Sequence, residues 1–225
     1  MKCLVILHAD SEGPGTLGDF LEARGAVMEE ARLHGGDHLP EDPGEVDAVI
    51  SMGGPMNVYE EKAHPFLGEE AAFLRKALER QTPVLGICLG AQMIAKAAGA
   101  RVVKSPGREV GWSRIHLTPE GERDPWLAGL SRDLEVLQWH DDMFEIPRGG
   151  TLLASSEACP HQALRCGSAV GLQFHVEVTE SMLSEWFRGQ AQQEVILRRH
   201  RELAPALRIQ AERLYDNFLR SIRRA

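Results

Sequence analysis

Three short stretches of this chain hold residue types that could do chemistry. The first is Gly86-Ile87-Cys88-Leu89-Gly90, where the apolar run "PVLGI" meets the small-residue pattern "LGAQMIAKAAG". G-x-C-x-G has the shape of a nucleophile elbow, in which a strand turns sharply into a helix and the apex residue takes a strained backbone conformation. Glycines two positions either side of the apex remove side chains that would collide there. A helix N-terminus favours negative charge on the sulfur. The backbone N–H of Leu89 points toward the same space and could hold an oxyanion. The competing reading is a small buried cysteine at a tight turn, since free cysteines are often buried.

The second stretch is "GLQFHVEV", Gly171 to Val178. On a strand, residues two apart share a face, and His175 and Glu177 are two apart. Their Cα atoms would lie about 6–7 Å from one another, so the carboxylate could take a hydrogen bond from the imidazole. That bond fixes the tautomer and leaves the other ring nitrogen for a thiol. A solvated polar face on an edge strand is the alternative. The third stretch is "SMGGPMN", Ser51 to Asn57. Glycine lets backbone approach a ligand closely and proline fixes the turn that follows, so the N–H of Gly54 is a candidate second oxyanion donor. Alone, the stretch is equally a plain turn after a strand. Jointly, an elbow cysteine and a His-x-Glu pair are the parts of a Cys-His-Glu triad.

Short apolar strands separated by helices must position these groups. "CLVIL" (3–7), "DAVISM" (47–52) and "TPVLGI" (82–87) are predicted strands, while 16–25, 66–81 and 89–99 are predicted helices. That alternation implies a parallel sheet with helices on both faces. The middle of the chain changes to closely spaced strand candidates: "ARVVKS", "EVGWSRIHLT", "LEVLQWH", "GTLLASS" and "AVGLQFHVEV". The expected fold class is therefore α/β: a doubly wound, mostly parallel sheet with an antiparallel extension whose last strand returns to the core. The tail is Arg-rich, and Pro205 is expected to split it. Beyond Pro205, Leu207, Ala211, Leu214, Phe218 and Ile222 fall on one helical face. The expected division is 1–185 as the catalytic domain and 186–225 as a helical extension packed on it.

Composition narrows the classes. A chain of 225 residues suits one large α/β domain. Its net charge of −8 argues against nonspecific binding to nucleic acid or anionic membrane. The four cysteines form no C-x-x-C pair, and few cysteines fit a reducing compartment. No apolar stretch approaches the ~20 residues needed to cross a bilayer. A soluble cytoplasmic protein is expected. His140 stands beside Asp141 and Asp142, but no third ligand lies at metal spacing, so neither metal nor cofactor is expected. Trp112 and Trp139 are read as packing residues.

G-G-P after a strand, G-I-C-L-G-A-Q at an elbow and Q-F-H-x-E-V near the end, in this order, resemble the class I (triad-type) glutamine amidotransferases. The resemblance covers about residues 1–185 and is closest to the glutaminase part of GMP synthase and its stand-alone relatives. It implies a flavodoxin-like sheet and hydrolysis of the side-chain amide of glutamine through a γ-glutamyl thioester. Cys88 would be the nucleophile, His175 the proton carrier and Glu177 its orienter, with Gly54 and Leu89 as oxyanion donors. Gln92, one helical turn beyond Cys88, would contact substrate. "QWHDDMFEIP" (138–147) matches the family's loop near the glutamine α-carboxylate and amine. Relatives usually have glycine where this chain has Asp141, whose acid could meet the ammonium instead. Many relatives have proline at the position of Val176.

No S-G-G-x-D-S loop and no G-x-x-x-x-G-K-[ST] is present. Ammonia, if delivered rather than released, would pass to a separate synthetase subunit. Two further readings stand beside glutaminase: a γ-glutamyl peptidase or amidase acting on a related metabolite, and a catalytically idle regulatory subunit that binds a partner through its Arg-rich tail.

Overall fold

A computed structural model describes residues 1–222. Among these, nine strands form one sheet. They are β1 (Lys2–Leu7), β2 (Val27–Arg32), β3 (Ala48–Ser51), β4 (Val84–Ile87), β5 (Val102–Leu117), β6 (Asp133–Phe144), β7 (Thr151–Ser156), β8 (Ala163–Cys166) and β9 (Ala169–Leu172). The helices are α1 (Gly15–Ala23), α2 (Phe66–Glu79), α3 (Leu89–Ala97), α4 (Pro119–Arg123), α5 (Glu180–Trp186) and α6 (Gln193–Ile222).

The strand order is β2-β1-β3-β4-β9-β8-β7-β5-β6. The first five neighbours pair in parallel; from β9 onward every pairing is antiparallel. The doubly wound sheet and its antiparallel extension are thus present as expected. Alternation along β1 serves both faces. Cys3, Val5 and Leu7 join the core under α1 and α6, whereas Leu4 and Ile6 join the core under α2 and α3. Parallel pairing brings the carboxyl ends of β1, β3, β4 and β9 to one edge, where open α/β sheets bind ligands.

Several elements differ from expectation. The Val27–Arg32 strand has no apolar run because it is the sheet's edge and only Ala31 is buried. "ARVVKS" and "EVGWSRIHLT" are one long strand, broken only by a register shift between Lys104 and Glu109. Residues 138–144 of the expected loop are the second half of β6, paired along β5. Pro205 does not split the tail: α6 runs through it. The proline removes one helical hydrogen bond, but Ile196, Leu197 and His200 are buried before it, and Leu207, Ala211, Leu214 and Phe218 after it. Packing on both sides holds the axis together. Arg223 and Arg224 of the Arg-rich tail lie outside the described residues.

Candidate active site

The elbow is built as its glycines require. Cys88 has φ 52°, a left-handed conformation unusual for a residue with a Cβ, and it caps the start of α3. Its N–H donates to Leu172 O at 2.7 Å, and Gly90 N–H donates to Met52 O at 3.1 Å. The turn is therefore tied to β9 on one side and to the end of β3 on the other. A Cβ on Gly86 would stand 2.5 Å from Gly90 O, and one on Gly90 would collide with Ser51 O. Backbone cannot yield as a flexible side chain can, so both positions exclude any larger residue.

His175 and Glu177 meet, though not by strand alternation. The returning strand ends at Leu172, and His175 makes only an isolated bridge, donating to Leu137 O at 2.9 Å and accepting from Leu137 N–H at 3.3 Å. The Glu177 carbonyl accepts from Thr16 N–H (2.9 Å) and Thr16 Oγ1 (3.2 Å). A Cβ on Gly15, whose φ is 48°, would strike that same carbonyl. Glycine is thus required where α1 meets the loop. Between these anchors His175 Nδ1–H donates to Glu177 Oε1 at 2.6 Å, with both side chains at 2% exposure or less. Glu177 Oε2 accepts from Val176 N–H at 2.9 Å. Burial alone would lower the proton affinity of His175. The charge of Glu177 and the hydrogen bonds of Glu177 and Cys88 outweigh it and hold the ring well above its ordinary value.

These groups open on one cavity of about 330 Å³, lined among others by Gly54, Cys88, Leu89, Gln92, Asp141 and His175. Six of the seven residues singled out from sequence therefore line it, and Glu177 stands directly behind His175. Gln92 is 5% exposed and its Nε2 donates to Gln173 Oε1 (3.2 Å) and Asp142 O (3.3 Å). Asp141 is exposed and paired with Arg108 at 2.9 Å. Trp139 packs on Phe187 with ring centroids 4.4 Å apart, as a packing residue would, but it also lines the cavity, and its carbonyl lies 3.7 Å from Cys88 Sγ. Among the described residues, the lining contains no arginine or lysine.

His140 turns inward rather than toward Asp141. Its Nε2 lies 3.2 Å from Glu109 Oε2, and the ligand atoms of Glu109, His140 and Cys159 fall within 4.8 Å of one another. Glu109 is already occupied by protein donors: Gln162 Nε2 at 2.5 Å and Ser156 Oγ at 3.0 Å. Burial would raise this carboxyl, but the hydrogen bonds of His140 and Ser156 bring it below the usual range. We read this cluster as a brace for the β6 wall. Its members come from β5, β6 and the segment between β7 and β8, so no spacing announced it.

Four site residues escaped the sequence reading. Glu12 lines the cavity with Oε2 against Gly53; burial, reinforced by Glu177, raises its carboxyl despite the opposing charges of His175 and His8. Trp186 stands edge-on to the His175 ring at 5.0 Å, anchored by Nε1–H to Ser11 O at 2.8 Å. Gln173 Nε2 lies 3.7 Å from Cys88 Sγ. His8 lies behind Gly53. For His8 and Glu12 a signal existed: both follow the carboxyl end of the first strand, where such sheets place ligands.

A family profile described as Glutamine amidotransferase class-I matches residues 31–191. The chain belongs to this family. Among curated relatives of this class-I amidotransferase, the glutamine amidotransferase-like protein YfeJ of Salmonella typhimurium is 34% identical over 183 residues, covering 80% of this chain and 77% of YfeJ. The glutamine-hydrolysing GMP synthase of Thermosipho africanus is 36% identical over 141 residues. That match covers 61% of this chain and 25% of the synthase. A crystal structure of a glutamine amidotransferase from Thermotoga maritima superposes with a TM-score of 0.90 at 29% identity, covering 97% of each chain. Against this family background Val176 is informative. A proline there would have no N–H to give Glu177; valine supplies one more anchor for the carboxylate.

Proposed function

We propose that this class-I glutamine amidotransferase hydrolyses the side-chain amide of glutamine through Cys88, His175 and Glu177. One observation carries the reading: a cysteine held at positive φ shares a small cavity with His175, whose ring is backed by a buried 2.6 Å bond to Glu177. The imidazole takes the thiol proton, and sulfur attacks the amide carbon. The resulting oxyanion is received by the N–H groups of Gly54 and Leu89. Leu89 begins α3, so its N–H has no carbonyl four residues back within the helix. His175 then hands its proton to the departing nitrogen. Ammonia leaves and a γ-glutamyl thioester remains. Water, deprotonated by the same imidazole, cleaves the thioester to glutamate and free thiol.

Charge supports an amino-acid substrate. With Glu12 and Asp141 in the lining and, among the described residues, no arginine or lysine, the cavity favours the substrate's α-ammonium, leaving its carboxylate to backbone N–H groups and Asn57. A volume of about 330 Å³ lies at the small end for ligand sites, which suits a single amino acid. Release of ammonia to a separate synthetase subunit extends the proposal, by kinship with the glutamine-hydrolysing synthase.

The test is ammonia release from glutamine and from a panel of γ-glutamyl compounds, with Cys88→Ala as control. Turnover of glutamine that vanishes in Cys88→Ala is expected. Absence of release from every compound, alone or with candidate synthetases, would overturn the reading in favour of an idle subunit.

A further inference from the structure

Behind the Gly53–Gly54 segment lies a second His–Glu pair that the triad chemistry does not use. His8 Nε2 meets Glu70 Oε2 at 2.7 Å, and Glu70 Oε1 accepts from Ser51 Oγ at 2.6 Å. The other ring nitrogen, Nδ1, meets Gly53 O at 3.0 Å. His8, Ser51 and Glu70 are all at most 1% exposed. The Gly53 carbonyl can only accept, so Nδ1 carries a proton, and a carboxylate facing Nε2 favours a second proton there and a cationic ring. Burial opposes that charge, but Glu70, and more weakly Glu12, hold the ring above its ordinary value. A buried ion pair is costly to desolvate, and a sheet edge needs none for stability. Its placement calls for a reason.

In a trans peptide the carbonyl of one residue and the N–H of the next point in opposite directions. A donor that holds Gly53 C=O on the buried side therefore turns Gly54 N–H toward the cavity. We infer that His8 is a positioning residue that aims the Gly54 N–H at the oxyanion. The inference rests on Gly54 being an oxyanion donor, as proposed above. A cationic donor on the carbonyl also polarises the peptide, which strengthens the N–H at its other end. The peptide is gripped from both sides. A Cβ on Gly54 would come within 2.7 Å of His8 Cβ and of Leu89 Cδ2, so the segment is wedged between the positioning ring and the elbow. Glu70 and Ser51 fix the ring, with Glu70 reaching from α2 and Ser51 closing β3.

Two isosteres separate aim from stability. In His8→Asn the amide nitrogen takes the place of Nδ1 and keeps the bond to Gly53 O. In His8→Gln it takes the place of Nε2 and keeps the bond to Glu70 alone. Outright loss of an oxyanion donor costs about 10²–10³ in kcat, so loss of aim in His8→Gln should cost about 10–10² while KM stays within about threefold. His8→Asn should retain at least about fivefold more kcat than His8→Gln, because a hydrogen bond of ordinary strength is worth about that factor. Iodoacetamide alkylates Cys88 by displacement at a CH₂ and generates no oxyanion, so its rate should match wild type in both variants. A wild-type kcat in His8→Gln, equal kcat in the two variants, or alkylation slowed in step with hydrolysis would each overturn the inference. If wild type alkylates at Cys88 but releases no ammonia from any γ-glutamyl amide, the functional reading itself has failed, and the inference falls with it.

Discussion

Replacing Glu177 with glutamine removes one charge and the acceptor that Oε2 offers Val176 N–H. The side chain is fully enclosed, the glutamine carbonyl can still accept from His175 Nδ1–H, and the loop's link to α1 runs through the Glu177 backbone carbonyl, which the substitution leaves alone. What disappears for His175 is the attraction between carboxylate and imidazolium. Two unit charges about 4 Å apart at an effective dielectric of about 20 attract by about 4 kcal/mol. Roughly 1.4 kcal/mol is a tenfold change in rate, so Glu177→Gln should lower kcat for glutamine hydrolysis by about 10³-fold. Burial, now unopposed by that charge, lowers the proton affinity of His175. The stability that the imidazolium contributes is full below pH 6.5 and is lost as pH rises through the folded-state value, which lies higher. In the variant this contribution shrinks, and the melting temperature should vary less between pH 6 and pH 9 (roughly the window in which a raised histidine titrates). The assay is steady-state ammonia release across that range, with thermal melts alongside. A folded variant with kcat within about threefold of wild type would refute the reasoning, since triad carboxylates are worth far more than that where they act.

The Glu12 carboxyl is raised by burial next to Glu177, so its stability contribution is full below its unfolded value near 4.5 and is lost as pH rises through the folded value. Glu12→Gln should therefore melt above wild type at pH 8 and lose that advantage toward pH 4 (on either side of the carboxylate range); thermal melts at the two pH values check it, and a gap independent of pH would count against it. Phe218 is fully buried against Trp126, ring centroids 5.3 Å apart, where α6 covers the sheet. Phe218→Ala should cost about 3–5 kcal/mol in urea unfolding, and a drop below about 1 kcal/mol would mean that α6 contributes little to the fold.

Much of the site was legible because it depends on local steric rules. The elbow shows in the sequence as glycines at 86 and 90 flanking Cys88, and the backbone packed against them leaves no room for a Cβ at either position. His175 and Glu177 meet for another reason than their two-residue spacing suggests: the spacing implies a strand, yet the pair lies past its end, held by Leu137 and Thr16 from distant elements. Pro205 misled in the opposite way. Its local rule is sound for an isolated helix, but burial of the residues on either side outweighs one missing hydrogen bond. The edge strand Val27–Arg32 went unread because its period is set by backbone pairing with β1, not by burial.

What stayed illegible shares one property: each group acts through partners far away in the chain. His8 meets Glu70 across 62 positions and Gly53 across 45; Trp186 reaches Ser11 across 175. No periodicity encodes such pairs, because periodicity reports which face of an element is buried and not what lies opposite. Glu70 illustrates the limit. At an α2 position that faces the core, a carboxylate breaks the apolar pattern and looks like a defect. It is tolerated there only because Ser51 and His8 satisfy both oxygens. A buried charge inside an otherwise apolar helical face is thus itself a signal. It says that two partners wait on the facing sheet, and in an open α/β fold that sheet ends at the ligand.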